Sequence, residues 1–177
     1  MTSYQDIKAS ESVIFKLSIR FPFLDVEPLF FESCVRGHLS ALDGEMLSRK
    51  GALRVRISFS DHIVDLVVTH LIGEILDNAK EMDVNECHRQ GQTKELLRFI
   101  ESSCFGSDVV VLGGDFNFDQ THESYNLVTE ANFKDTGASG EEGMRATSMR
   151  GKRATWGNPE NTIGNSPPRL LDFVFVR

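Results

Sequence analysis

Apolar and polar residues alternate along Ala52–Phe59 (ALRVRISF), and a second, largely apolar stretch follows along His62–Leu71 (HIVDLVVTHL). A period of two sends successive side chains to opposite faces of an extended chain, so the first stretch predicts a half-buried strand, and the second reads as a further strand. Ser60-Asp61 between them predicts a tight turn and therefore a hairpin. Asp108–Leu112 (DVVVL) is nearly all aliphatic, the pattern of a strand covered on both faces. Arg169–Arg177 (RLLDFVFVR) predicts a last strand, and Ser12–Ser18 (SVIFKLS) a first one. Leu96, Leu97, Ile100 and Cys104 recur at helical spacing after Asn85, which is placed to cap that helix, while Gly91 weakens its start. His122–Phe133 (HESYNLVTEANF) predicts a short helix. Phe21–Phe31 carries two prolines and four phenylalanines and reads as an extended segment with turns, packed on a sheet. Arg36–Gly51 reads as a loop, Gly73–Asp83 is polar and stays unassigned, and Ala138–Asn165 reads as a long irregular segment. Strands with interspersed helices predict an α/β or α+β layered architecture.

Composition narrows the setting. A chain of 177 residues has room for one substantial core, since a chain of this size buries about 70% of its extended surface. The net charge of −7 argues against broad, non-specific binding to a phosphate backbone. Cys34, Cys87 and Cys104 form no CxxC pair, which points to reduced, mostly buried thiols and an intracellular setting. The polar start MTSYQDIKASES lacks the apolar run of a signal peptide, and no run approaches the roughly 18 apolar residues of a membrane span.

Chemistry is concentrated where the aliphatic strand ends, in GGDFNF, Gly113–Phe118. In an extended backbone Asp115 and Asn117 face one way, and Phe116 and Phe118 face the other, toward packing. The two glycines remove side chains, so another group can approach the backbone there. An aspartate can orient a nucleophilic water or touch a hard cation, and an asparagine amide can donate to a phosphate oxygen. A strand end closed by an Asx-turn explains the same residues equally well. His70 closes the second hairpin strand, either as a charge stabiliser or as a satisfied buried histidine. Asp172 lies within an apolar strand, where a buried carboxylate needs a partner, either a histidine or backbone donors.

THL at Thr69–Leu71, GDFN at Gly114–Asn117 and LDFVF at Leu171–Phe175, in this order, resemble the endonuclease/exonuclease/phosphatase superfamily. The resemblance covers the chain from about Val13 onward. It implies a DNase-like fold, a four-layered β-sandwich flanked by helices, here as a single partial domain over 1–177. It also implies a phosphodiesterase dependent on Mg²⁺ or Mn²⁺. Ser48–Ile57 (SRKGALRVRI) and Ala154–Arg177 are most similar to the neutral sphingomyelinase branch, which splits sphingomyelin into ceramide and phosphocholine. By that resemblance Asp115 aligns the attacking water and is a candidate contact of the cation, and Asn117 binds the scissile phosphate. His70 stabilises the transition state, and Asp172 orients a general-base histidine. Lys50 either faces the headgroup phosphate or is a solvated loop lysine.

The chain also departs from the pattern. Nothing in Met1–Ser10 matches the family's metal-binding glutamate, and the early asparagine of that site has no match. The family's Ser-Asp-His motif would follow LDFVF, but the sequence ends at Arg177, and His38, His62, His88 and His122 stand at no matching position. The expectation is therefore a piece of such a domain, weakly active or inactive, since members of a catalytic unit fail together. A phospholipid at a membrane surface is the expected partner, with a cytoplasmic or peripheral-membrane location. The Phe-rich segment and the basic residues Arg145, Arg150, Lys152 and Arg153 give this weak support. A nuclease or inositol-polyphosphate phosphatase is the alternative within the superfamily, with nucleic acid the less favoured partner. A non-catalytic binding module is the alternative outside it.

Overall fold

The computed structural model describes residues 5–8, 16–19, 22–33, 50–73, 76–77, 82–83, 85–137 and 170–177. The predicted hairpin is present as β4 (Gly51–Phe59) and β5 (His62–His70), paired antiparallel from Gly51↔His70 to Phe59↔His62. Ser60 and Asp61 both have positive φ, 48° and 68°. That pair of left-handed residues makes the two-residue turn whose twist matches the flanking strands.

Around this hairpin lies a six-stranded mixed sheet in the order β3-β4-β5-β8-β10-β9, with β3 spanning Phe23–Phe30, β8 Val109–Asp115, β9 Lys134–Asp135 and β10 Asp172–Val176. The β5–β8 pair is parallel; the other pairs are antiparallel. The proline-bearing segment is thus a strand and not an extended run with turns. Pro28 fits because β3 is an edge, where a missing N–H leaves no ladder bond open. Two further pairs are described, β1 (Gln5–Lys8) with β2 (Lys16–Ile19), and β6 (Leu76–Asp77) with β7 (Met82–Asp83). The predicted first strand is realised over Lys16–Ile19. Arg36–Arg49, Ala138–Asn165 and the Arg145–Arg153 basic residues lie outside the described residues.

Helix α1 (Glu86–Ser103) connects β5 to β8, and α2 (Glu123–Glu130) follows β8. Leu96 and Ile100 of α1 and Val128 of α2 pack with Ala52, Val67, Val110, Leu112, Phe173 and Phe175 on one face of the sheet. The helix runs through Gly91 without interruption. A Cβ there would lie 2.6 Å from Ser33 Oγ, so the glycine allows close approach to the end of β3. Asn85 occupies the N-cap position, but its side chain does not cap; Nδ2 donates instead to the Gly73 carbonyl at 2.8 Å. At the other end α1 has no basic residue in its last turn. Arg54 and Arg56 of β4 donate to the Ser103 carbonyl at 2.8 and 3.2 Å, bringing positive charge to the negative end of the helix dipole. Asp65, fully buried, binds both guanidinium groups.

Val109 and Val111 are half-buried, so β8 is less covered on its second face than its aliphatic run predicted. Cys104 is buried and Cys87 exposed, which corrects the expectation of mostly buried thiols for the latter. Burial, with Asp65 nearby, pushes the Cys104 thiol up to about 12. Only the thiolate alkylates readily. Iodoacetamide on the native protein at pH 8 should therefore modify Cys87 and spare Cys104 until denaturant is added; mass mapping of labelled peptides checks it.

Candidate active site

The site lies where the parallel pair of strands ends. The register places His70 opposite Asp115, and Asp115 opposite Asp172. Residues directly opposite share a face, so these three side chains stand in one row on adjacent strands, about 4.8 Å apart. The row continues through Gly51, opposite His70, to Phe30, opposite Gly51.

Lys50, immediately before β4, brings its Nζ to 3.1 Å from His70 Nε2. The same Nε2 is 3.6 Å from Asp115 Oδ2. An ammonium only donates and a carboxylate only accepts. The bond from Lys50 needs a lone pair on Nε2, whereas an ion pair with Asp115 needs a proton there. Two alternative sets of bonds thus meet at one nitrogen. His70 is half exposed, so it is not the buried, satisfied histidine that was one of its two readings. Lys50 is half-buried and turned toward His70.

Strand β8 ends at Asp115, and the backbone then turns. Asn117 has φ 51°, in the left-handed region. The extended geometry expected to put Asp115 and Asn117 on one side therefore does not hold. An Asx-turn forms instead: Asp115 Oδ1 accepts the Asn117 N–H at 3.0 Å. The Asn117 side chain donates from Nδ2 to the Leu71 carbonyl at 2.9 Å, which keeps it beside the end of β5. Phe116 and Phe118 are fully buried as expected, with ring centroids 5.2 Å apart; Phe116 packs on Phe173 and Phe175 at 6.0 and 5.4 Å, and Phe118 on Phe173 at 5.8 Å. This aromatic cluster anchors the turn from below.

Asp172 opens β10 and is exposed, not buried as its apolar neighbours suggested. A strand's first residue on the less covered face can meet solvent even when Phe173 and Phe175 are in the core. Burial lifts the Asp115 carboxyl above its ordinary value; the Asn117 N–H and His70 oppose the rise, Asp172 adds to it, and Lys50 opposes it. Asp115 has one oxygen engaged by Asn117 N–H and a lysine ammonium close by, and among the described residues no cluster of three His, Cys, Asp or Glu could hold a metal. Mg²⁺ keeps several waters and is usually held by one or two carboxylates, so Asp115, with Asp172 opposite it, is the described group that would supply oxygens to such an ion.

Sequence reasoning missed a layer behind this row. Arg89 and Gln92 are buried in α1 and hold the backbone just after His70: Arg89 Nη1 donates to the Ile72 carbonyl at 3.2 Å, and Gln92 Oε1 accepts the Ile72 N–H at 2.9 Å. Both occupy the inward stripe shared with Leu96 and Ile100, and that position, against their polarity, is the sequence signal of their burial.

The profile of the Endonuclease/Exonuclease/phosphatase family matches residues 22–177. No curated protein matches the chain. Among solved structures, TDP2 from D. rerio, complexed with single strand DNA product, aligns over 99% of this chain and 62% of its own, with TM-score 0.63 and 19% identity. Sphingomyelinase C from Streptomyces griseocarneus aligns over 90% of this chain and 51% of its own, with TM-score 0.57 and 19% identity. A beta toxin variant from Staphylococcus aureus with bound magnesium ions aligns over 90% and 50%, with TM-score 0.58 and 19% identity. At these identities the likeness is one of fold. The chain spans about half to three fifths of the length of these structures. Among the described residues no helix is long and apolar enough to cross a membrane.

Proposed function

The chain belongs to the Endonuclease/Exonuclease/phosphatase family, and on that footing we propose that the row at the end of β5, β8 and β10 binds the phosphate of a phosphodiester, with a phospholipid of the sphingomyelin type as substrate. The observation that carries this reading is the register His70–Asp115–Asp172 with Lys50 at 3.1 Å from the imidazole. Cationic and amide donors stand on one side of that row and carboxylates on the other. Phosphoryl oxygens take Lys50, His70 and the remaining Asn117 amide proton. When Lys50 turns to the phosphate, His70 Nε2 is released to carry a proton and donate to a second oxygen. Asp115, lifted by burial, is a better proton acceptor than an ordinary carboxylate and aligns water for attack. Asp172 beside it is positioned to orient a further base. A Mg²⁺ ion held by Asp115 would neutralise phosphoryl charge in this row.

Phe30 supports a substrate with an apolar part. It is 39% exposed and lies in the same row, separated from His70 by Gly51, which has no side chain. Two strand spacings put it about 10 Å from His70. The likeness to TDP2 with single strand DNA product, at greater coverage of this chain, favours nucleic acid as a second reading; the net charge of −7 weighs against it.

The test is a titration of the full chain with phosphocholine and with a thymidine dinucleotide, followed by backbone NMR shifts. Phosphocholine is expected to move Lys50, His70 and Asn117. Because hydrogen bonds to charged groups contribute about 1.5–3 kcal/mol, Lys50→Ala and His70→Ala should each weaken binding about tenfold or more. Hydrolysis is then assayed on sphingomyelin vesicles and on single-stranded DNA. Cleavage of DNA alone transfers the site to the second reading, and absence of binding by either ligand at the three residues ends both.

A further inference from the structure

We infer that Gln92 is a positioning residue for Asn117, acting through a single peptide unit; the inference builds on the phosphate-binding reading above. The Leu71 carbonyl and the Ile72 N–H belong to the same peptide plane. The carbonyl accepts from Asn117 Nδ2 at 2.9 Å, and the N–H donates to Gln92 Oε1 at 2.9 Å. Gln92 Nε2 donates in turn to the Ser33 carbonyl at 2.8 Å. One chain of hydrogen bonds thus runs from the end of β3, through Gln92 and the peptide after Leu71, to the amide at the candidate site.

Gln92 is 1% exposed, so water does not substitute for it. A peptide plane rotates as a unit, and fixing its N–H fixes its carbonyl. The orientation of that carbonyl decides which edge of the Asn117 amide it takes and which edge is left for a ligand. The preceding peptide's N–H, that of Leu71, donates to the Asp115 carbonyl at 3.0 Å, tying the turn to β8. Bonds in such a chain polarise one another, so loss of the Gln92 acceptor also weakens the bond that Asn117 makes. A glutamine in the middle of a helix, with both ends of its amide used by backbone on two different strand exits, has this as its geometric consequence whatever the ligand.

The experiment uses the ligand-free, isotope-labelled full chain. Through-hydrogen-bond NMR coupling between Asn117 Nδ2 and the Leu71 carbonyl carbon is expected in the wild type, and its absence overturns the inference without any variant. Gln92→Leu should speed exchange of the bonded Asn117 side-chain proton at least tenfold, while resonances of α2 stay in place. Gln92→Glu keeps an acceptor for the Ile72 N–H and should restore slow exchange. Wild-type exchange at Asn117 in Gln92→Leu refutes the positioning role. Inorganic phosphate then reports on the site: affinity should fall about tenfold in Gln92→Leu and recover in Gln92→Glu. If the wild type binds no phosphate while Asn117 exchange still follows residue 92, the positioning stands and the phosphate-site reading fails.

Discussion

Replacing Gly114 with alanine is expected to lower the free energy of unfolding by about 4 kcal/mol, summing backbone strain and overpacking of about 1–3 kcal/mol each. Gly114 has φ 143°, a conformation that side-chain-bearing residues rarely adopt. A Cβ there would lie 1.9 Å from the Thr69 carbonyl oxygen, an atom of the neighbouring parallel strand that cannot move without breaking register. The close approach anticipated at the two glycines is therefore made by the protein's own backbone. Gly113 is the control, because its added Cβ would meet Phe173 and Val174 at 3.5 and 3.7 Å, ordinary contact. Gly113→Ala should cost less than about 1 kcal/mol. Urea unfolding of both variants decides the matter, and equal losses would refute the steric account. In Gly114→Ala the shifts of His70 and Asp115 should also change, since the strained bond sits one residue before their row.

The second large effect is expected at the opposite end of the sheet. Asp65 is fully buried and accepts from Arg56 Nε and Nη2 at 3.1 and 2.8 Å, from Arg54 at 3.4 Å and from Ser107 Oγ. Arg54, only 2% exposed, also pairs with Asp25 and Glu27 of β3. Removing the central carboxylate leaves buried Arg54 with only its solvent-accessible partners Asp25 and Glu27 and takes the bidentate acid from half-buried Arg56, so Asp65→Ala should cost about 3–5 kcal/mol. If the under-compensated charge is the cause, Arg54→Leu combined with Asp65→Leu should cost less than Asp65→Ala alone. A double variant that is worse would instead point to the lost bonds to Ser103.

The same carboxylate sets a pH dependence. Burial raises its pKa, but hydrogen bonds from Arg56 and Ser107 outweigh burial, and the folded value lies below the ordinary 3.8. A depressed folded value means that the unfolded chain binds the proton more readily. The stabilisation is complete well above 3.8 and is lost as pH falls through the folded value. Stability of the wild type should therefore fall below about pH 4, and more steeply than that of the double leucine variant; thermal melts from pH 6 to pH 3 measure the difference.

Much of this architecture was legible along the chain. Alternation in ALRVRISF marked β4 as a strand, and the apolar run HIVDLVVTHL its partner; the expected half-burial did not hold over Ala52–Val55, where Arg54 is covered as well as its apolar neighbours. DFN marked the place of the Asx-turn, and the phenylalanines flanking Asn117 declared their burial. Tertiary structure decided what depends on distant neighbours. The pairing of His70 with Asp115 spans a helix and 45 residues of chain, and no local pattern states which strand lies beside which or in what register. Lys50 became a partner of His70 only once β4 and β5 had aligned. Pro28 was tolerated because β3 took an edge, and Asp172 met solvent because it begins its strand on the less covered face. Gln92 and Arg89 were hidden for the same reason: a buried polar side chain is allowed only where other segments supply its bonds, and those segments are brought there by the fold.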